Sequence, residues 1–337
     1  AEEKKDENLN WAAAESGALT VTSEQFDRGR FSSEGRHRVE LGEGQIMAAL
    51  RSEGGPDNPD ELPALIINTR IDHGLIPVGS VGSEQPSLSP GLGNAESTLQ
   101  VEMPDGETFD LPGKIFSKIG LGGQLQSTYS LGPGSRSFDD GTVVWGTTDI
   151  NVETDPANGV VVFDGTIGSL SVEDSTTGVS LGALMFNGRQ QPTRYGFAIG
   201  DVELSLNDLE ISGTNGGAVR EMAVTGTTTL DNGEVGGDAT MSMTLEGLPQ
   251  FGELEFDMAL SLAGADATSL GRVTQLVEAA GPDPEPMALY ASVEKDLKTL
   301  FAHGFDLNFN QFDLALPQGN VTSIIKVSIS EEAVSYT

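Results

Sequence analysis

The side chains that could carry acid–base or metal chemistry in this sequence are few. Histidine occurs three times, at His37, His73 and His303, and each is isolated from the others. None has the spacing to another histidine or to a carboxylate pair that a metal site needs. His73 ends an apolar run beside Gly74, so it is the best single candidate for a functional side chain. The alternative is a structural role, in which its imidazole hydrogen-bonds the backbone at the Gly74 turn.

The motifs of common enzyme classes are missing from the sequence. The absence of cysteine excludes thiol catalysis and a Cys-ligated zinc site. There is no Gly-x-Ser-x-Gly nucleophile elbow, and neither Gly113-Lys114 nor the glycines at 120–123 complete a phosphate or dinucleotide loop. The 51 Asp and Glu residues form no EF-hand loop, but they leave a glycosidase-type carboxylate pair open. We therefore predict no catalytic residue, no cofactor and no metal, with a carboxylate-based hydrolase as an alternative.

An arginine-containing run from Phe26 to Leu41 is the most distinctive stretch of the chain. Most of its apolar residues stand at odd-numbered positions among polar ones. Residues at odd positions of an extended segment share one face, which predicts a strand that rests this face on a core while its arginines reach outward. Arginines among carboxylates on such a strand are commonly solvated or paired locally. The binding surface that we predict in this region comprises five residues: Arg28, Phe31, Ser32, Ser33 and His73.

The same run resembles the opening motif of the YdgA-like proteins, a bacterial envelope family classed as a domain of unknown function. The matching residues are Phe26, Arg28, Gly29, Phe31, Ser32, Ser33 and Val39, whereas Arg30 and Gly35 depart from the pattern. A second match comprises Ile71, His73, Gly74 and Pro77, with Leu75 in place of a proline. The likeness extends from about residue 19 to residue 330 and names no chemistry. It implies that an N-terminal anchor or signal has been removed.

The chain is strongly acidic, since 51 Asp and Glu against 18 Lys and Arg give a net charge of -33. Such a surface repels nucleic acid and anionic membranes. We expect no nucleic-acid partner, and membrane contact only through the removed anchor. The charge is spread along the whole sequence, which favours a source that lives at high salt, where self-repulsion is screened. On that hypothesis the protein unfolds at low ionic strength.

The pattern along the chain predicts a mainly β protein. Its 43 glycines and many Ser, Thr, Asn and Asp residues separate segments in which apolar and polar residues alternate. From residue 98 to residue 270 these segments predict a large antiparallel, curved and meandering sheet, with turn signals at 231–233 and 234–237. The elements predicted near the C-terminus are helices at 268–280 and 286–303 and a terminal hairpin of 305–316 and 322–329.

The domain organisation follows from composition and from the family likeness. Residues 1–18 are polar and then alanine-rich, and we expect them to form an N-terminal tether. We expect residues 19–337 to form a single β-rich domain, with subdivision near 97 and 265 as the alternative. The resemblance implies a location in the periplasm or cell envelope, with an inner-membrane anchor in the precursor.

Three functions of different classes remain open. The first is a non-enzymatic envelope protein that binds a partner protein or itself through sheet edges and exposed faces. The second is a carrier of lipid or another amphiphile, with apolar side chains along an open groove of a curved sheet. The third is the carboxylate-based hydrolase. We expect the first, a binding or scaffolding protein that self-associates, and keep the second as the principal alternative.

Overall fold

The computed structural model describes residues 19–42, 51, 58, 62–74, 91–138, 141–174, 178–212, 217–248, 252–279 and 286–329. It contains nineteen strands, joined in one antiparallel sheet that is not closed, and two helices near the C-terminus. The predicted mainly β fold class is therefore confirmed. The predicted tether at 1–18 and Pro77 of the second motif lie outside the described residues.

The chain divides into two compact units. Unit 1 comprises residues 1–132 and 151–155, and unit 2 comprises residues 133–150 and 156–337.

Unit 1 is built on an antiparallel meander of six consecutive strands. They are β1 (Leu19–Arg28), β2 (Ser32–Leu41), β3 (Ala64–His73), β4 (Gly93–Glu102), β5 (Thr108–Ile119) and β6 (Leu125–Leu131). Each strand pairs with the next one along the chain. Gly74, with a φ of 124°, ends β3 where the sequence predicts.

Thirteen further strands follow along the chain, and eight of them form a long ladder in unit 2. They are β7 (Gly134–Phe138), β8 (Gly141–Trp145), β9 (Thr148–Asp155), β10 (Val160–Ile167), β11 (Leu170–Asp174), β12 (Gly178–Leu181), β13 (Leu184–Pro192), β14 (Ala198–Ser212), β15 (Gly217–Asp231), β16 (Glu234–Leu248), β17 (Gly252–Asp266), β18 (Phe305–Leu316) and β19 (Gly319–Ile329). The ladder runs β10, β13, β14, β15, β16, β17, β18, β19, each strand antiparallel to the next. The short strands β7, β8, β11 and β12 form a branch that joins β14.

Strand β14 changes partner where the branch meets the ladder. Its first part pairs with β13 and its last part with β12, and Asp208 takes a left-handed φ of 57° at the change. Gly182 separates β12 from β13, and a Cβ there would collide with the carbonyl oxygen of Asn207. The chain therefore breaks at this close approach, between β12 and β13.

Two turns predicted between β15 and β16 have different outcomes. Asn232 and Gly233 have φ values of 51° and 90°, as a two-residue type I′ hairpin turn requires, so the predicted turn at 231–233 is confirmed. The predicted turn at 234–237 is wrong, because these residues pair with β15 and begin β16. Strands β5 to β7 have no clear apolar alternation and are found only in the structure.

Helices α1 (Ala267–Ala279) and α2 (Pro286–His303) lie between β17 and β18 and agree closely with the predicted ranges. Asp266 caps α1, since its Oδ1 accepts a hydrogen bond from the backbone N–H of Ser269 at 2.8 Å. The helices share a core with the strand ends beside them. Its members are Val235, Ala265, Ala267 and Leu300, packed against Tyr195, Phe197, Leu230, Leu262, Leu270 and Phe305.

Candidate functional site

The five residues predicted as a binding surface come together at one end of the unit 1 meander. Arg28 ends β1, Ser32 begins β2 and His73 ends β3. The backbone N–H of His73 donates to the carbonyl oxygen of Phe31 at 2.7 Å, so the two motif segments are adjacent. Phe31 lies in the connection between β1 and β2 and is 81 % exposed.

Ser33 and His73 form a hydrogen bond that the sequence does not predict. The Oγ of Ser33 lies 2.8 Å from Nε2 of His73, and Ser33 is only 1 % exposed. A nucleophilic serine has to reach its substrate, and this burial prevents such contact. The bond instead ties β2 to β3, as buried polar pairs commonly do. The imidazole of His73 thus hydrogen-bonds a side chain, whereas the structural alternative predicted a hydrogen bond to the backbone at the Gly74 turn.

The arginines of the distinctive run have two different environments. Arg36 Nε lies 2.6 Å from Glu24. Arg38 lies 2.7 Å from Glu102 through Nη1 and 2.6 Å from Glu40 through Nε. Its hydrogen bonds to Glu40 and Glu102 raise the pKa of the Arg38 guanidinium, so it stays charged. By contrast, the described residues place no carboxylate within salt-bridge distance of Arg28.

Carboxylates gather on the polar face of the unit 2 ladder. Asp257 of β17 lies directly opposite Asp313 of β18, an arrangement that destabilises a sheet. Glu221, Glu255 and Asp257 line an open depression of about 150 Å³. Ligand pockets usually measure about 300–1,000 Å³, so this depression is small for a hydrolase substrate. The described residues contain no group of three or more side chains able to hold a metal ion.

A continuous row of apolar side chains crosses the unit 2 ladder. The register of the ladder aligns one side chain from each of eight strands in a single row across the sheet. Every member is apolar: Ile167, Leu184, Leu206, Met222, Met243, Phe256, Leu314 and Val321. Because neighbouring strands lie about 4.8 Å apart, the row spans roughly 34 Å.

A second apolar row lies beside the first, on the same side of the sheet. Its members are Phe186, Leu204, Val224, Met241, Met258 and Phe312. The two rows together are called the apolar face below. Met222, Met241, Met243 and Met258 cluster at its centre on β15, β16 and β17. Methionine is unbranched and polarisable, so such a cluster adapts to partners of irregular shape.

No described strand or helix buries the apolar face. All of its side chains except Leu206 keep part of their surface accessible. Phe256 and Phe312, with ring centroids 5.5 Å apart, sit on neighbouring strands, so this contact is lateral within the sheet. The helices share a core only with residues at the strand ends near Val235 and Phe305. Within the described residues, the face is therefore partly accessible to a ligand along its length.

The sequence indicates this face only in part. Alternation in stretches such as 241–245 shows that apolar side chains share one side of a strand. Which side chains align across strands depends on the register, which hairpins such as the one at Asn232 and Gly233 set. A continuous row thus emerges only once seven pairings are known.

Comparisons with known proteins give a family and no activity. No helix in the described part of the chain is long and apolar enough to cross a membrane. No curated protein and no solved structure matches this sequence significantly. The family model described as "Bacterial protein of unknown function (DUF945)" matches residues 1–335. The chain therefore belongs to this DUF945 family of bacterial proteins.

Proposed function

We propose that this protein is a non-enzymatic binding protein whose apolar face holds the hydrocarbon part of a lipid or another amphiphile. The observation that carries the proposal is the row of eight apolar side chains from Ile167 to Val321. Each CH₂ group moved out of water contributes about 0.8 kcal/mol. Large exposed apolar patches rimmed by polar residues are typical of ligand or partner sites.

Charge favours an amphiphile over a second protein copy on this face. Two copies, each with a net charge of -33, repel one another when broad surfaces approach. A hydrocarbon chain carries no charge, and the methionine cluster suits a flexible chain. The same acidity favours a zwitterionic or uncharged head group over an anionic one.

We further propose that the protein is a YdgA-like member of its family and resides in the periplasm or cell envelope, with an inner-membrane anchor in the precursor. The support is the likeness of the stretches 26–39 and 71–77 to the two YdgA-like motifs. The acidic composition supports a salt-adapted source. Fractionation of cells that express the full precursor tests this location, and recovery in the cytoplasm would contradict it.

A second candidate function is contact with a partner protein or self-association. The exposed edge strand β19, nine of whose eleven residues are exposed, favours it. We do not propose catalysis, because Ser33 is buried and the unit 2 depression is small. The depression of about 550 Å³ that Glu34 and Glu96 line in unit 1 has Glu96 paired with Lys114 at 2.7 Å.

The amphiphile proposal is tested by a pair of lysine substitutions on β16. Met241 belongs to the apolar face, whereas its neighbour Thr240 is exposed on the opposite face. Met241→Lys should weaken binding of a fluorescent long-chain lysophosphatidylcholine by about tenfold or more, since about 1.4 kcal/mol is tenfold in affinity. Thr240→Lys adds the same charge and should leave the affinity within about twofold.

The outcomes separate the candidate functions. The proposal is supported if the wild type binds the probe, Met241→Lys loses this binding and Thr240→Lys keeps it. Circular dichroism and urea unfolding of both variants establish that they fold. Absence of probe binding, or equal binding by both variants, would contradict it. A ligand-free homo-oligomer would favour self-association.

A further inference from the structure

The strand β19 forms an unprotected edge of the unit 2 ladder. Within the described residues it pairs only with β18, so its outer backbone donors and acceptors have no strand beside them. Nine of its eleven residues are exposed. The exposed apolar side chains are Val321, Ile324, Ile325 and Val327.

This edge has only one of the devices that normally prevent strand pairing, a lysine. Its single charged residue is Lys326, and it contains no proline. Strand β1 also has one neighbour, β2, among the described strands of unit 1, but its charge and regularity differ from those of β19. It carries Glu24, Asp27 and Arg28, and the bulge between Ser23 and Gln25 lies on β1 itself. The bulge of the β18–β19 pair lies instead on β18, between Phe309 and Phe312, and leaves β19 regular. Unit 1 thus protects its first strand, whereas β19 remains competent to pair.

We propose that β19 pairs antiparallel with β19 of a second copy of this chain, about a twofold axis at Ile324. In that register Val321 lies opposite Val327, Ser323 opposite Ile325 and Thr322 opposite Lys326, by counting along the strand. One face then matches valine with valine and serine with isoleucine, the other matches Ile324 with itself and threonine with lysine, and no like charges oppose each other. The sequence of β19 is therefore self-complementary, as a twofold interface requires.

Ile324 supports this register independently. It alternates with Ser323 and Ile325 and therefore points to the polar face, where the carboxylates Asp257 and Asp313 lie. An isoleucine that is 65 % exposed on an acidic face has no contact in the described chain that explains it. At the twofold axis it contacts its own symmetry mate, which removes its apolar surface from water.

Charge opposes a second copy less at this edge than on the acidic faces of the sheet. The chain carries a net charge of -33, but β19 contributes one positive charge and no negative one. Edge-to-edge pairing brings these least acidic segments together and leaves the acidic faces in solvent. A twofold axis perpendicular to the sheet keeps both apolar faces on one side, so Val321 of one copy lies beside Val327 of the other. The inference does not depend on the amphiphile, since the edge can pair whether or not that face binds one.

The complete absence of cysteine allows a direct test. Ile324→Cys introduces a single thiol per chain, and opposed residues of an antiparallel pair have Cα atoms about 4.5–5.5 Å apart, within the span of a disulfide. Mild oxidation should convert most of this variant to a covalent dimer. Val144→Cys is the control. Val144 is exposed as well, at 44 %, but it lies on β8, which has a strand on each side.

A charge exchange gives a second, independent readout. Ile324→Lys and Ile324→Glu each place like charges on the axis and should weaken dimerisation about tenfold or more, as measured by sedimentation. Mixing the two variants opposes lysine to glutamate and should restore the dimer. A monomeric wild type, cross-linking of Ile324→Cys no faster than that of Val144→Cys, or a mixture no more associated than its components would overturn the proposal. None of these results affects the amphiphile assay.

Discussion

The hydrogen bond between Ser33 and His73 gives the sharpest test of whether the motif residues are structural. Ser33→Ala removes an Oγ that lies 2.8 Å from Nε2 of the partly buried imidazole. Because Ser33 is 1 % exposed, water does not readily replace the lost hydroxyl. A hydrogen bond contributes about 0.5–1.5 kcal/mol net, and an unsatisfied buried group costs about 1–3 kcal/mol. We expect the free energy of unfolding to fall by about 1–2 kcal/mol.

Urea denaturation at constant salt measures this effect. The matched control is Ser32→Ala, next to Ser33 but on the opposite side of β2, which should change stability by less than about 0.5 kcal/mol. A double-mutant cycle with His73→Phe should give a coupling energy of about 1 kcal/mol between Ser33 and His73. An unchanged stability of Ser33→Ala, together with loss of amphiphile binding, would refute the structural reading and make the pair part of a functional site.

Two further predictions concern single charged side chains. Asp266→Ala removes the cap of α1 and should cost about 1 kcal/mol. Burial alone would raise the pKa of Asp266, but the hydrogen bonds from Ser269 outweigh it and hold the pKa below its usual value. Because the pKa of Asp266 is lower in the folded than in the unfolded chain, the cap contributes fully at neutral pH and is lost as the pH falls below about 4. Urea titrations at several pH values check this dependence. The control is Asp266→Asn, which can still cap the helix but does not titrate. Arg36→Glu turns the 2.6 Å pair with Glu24 into repulsion and should cost about 1–2 kcal/mol, less at high salt. Arg28→Glu should cost less than about 0.5 kcal/mol, and equal losses for the two reversals would contradict the ion-pair assignment.

The fold class was predictable because local signals agree with the global structure. In segments such as 241–245, alternating apolar residues all lie on one side only when the segment is a strand. The Asn232-Gly233 dipeptide adopts a type I′ turn at low cost. The second helix, Pro286–His303, has an apolar stripe and a following Gly304 with a φ of 79°. These signals act over a few residues, so one sequence contains them in full.

The candidate site could not be predicted in the same way, because it depends on strand register. Ser33 and His73 are forty positions apart in the chain and meet only because β2 pairs with β3. The apolar face needs seven correct pairings before Ile167 and Val321 belong to one row. Likewise, nothing local marks β19 as an edge, since that depends on which strand has no further neighbour.

The most direct test of the apolar face is the mass of the native protein purified from bacterial cells. Native mass spectrometry of the wild type should show a bound amphiphile that organic solvent extracts, and the Met241→Lys protein should lack it. Thr240→Lys should retain the same added mass. A folded wild type that carries no amphiphile, or a Met241→Lys protein that keeps it, would contradict the claim that this face is a binding site for hydrocarbon chains.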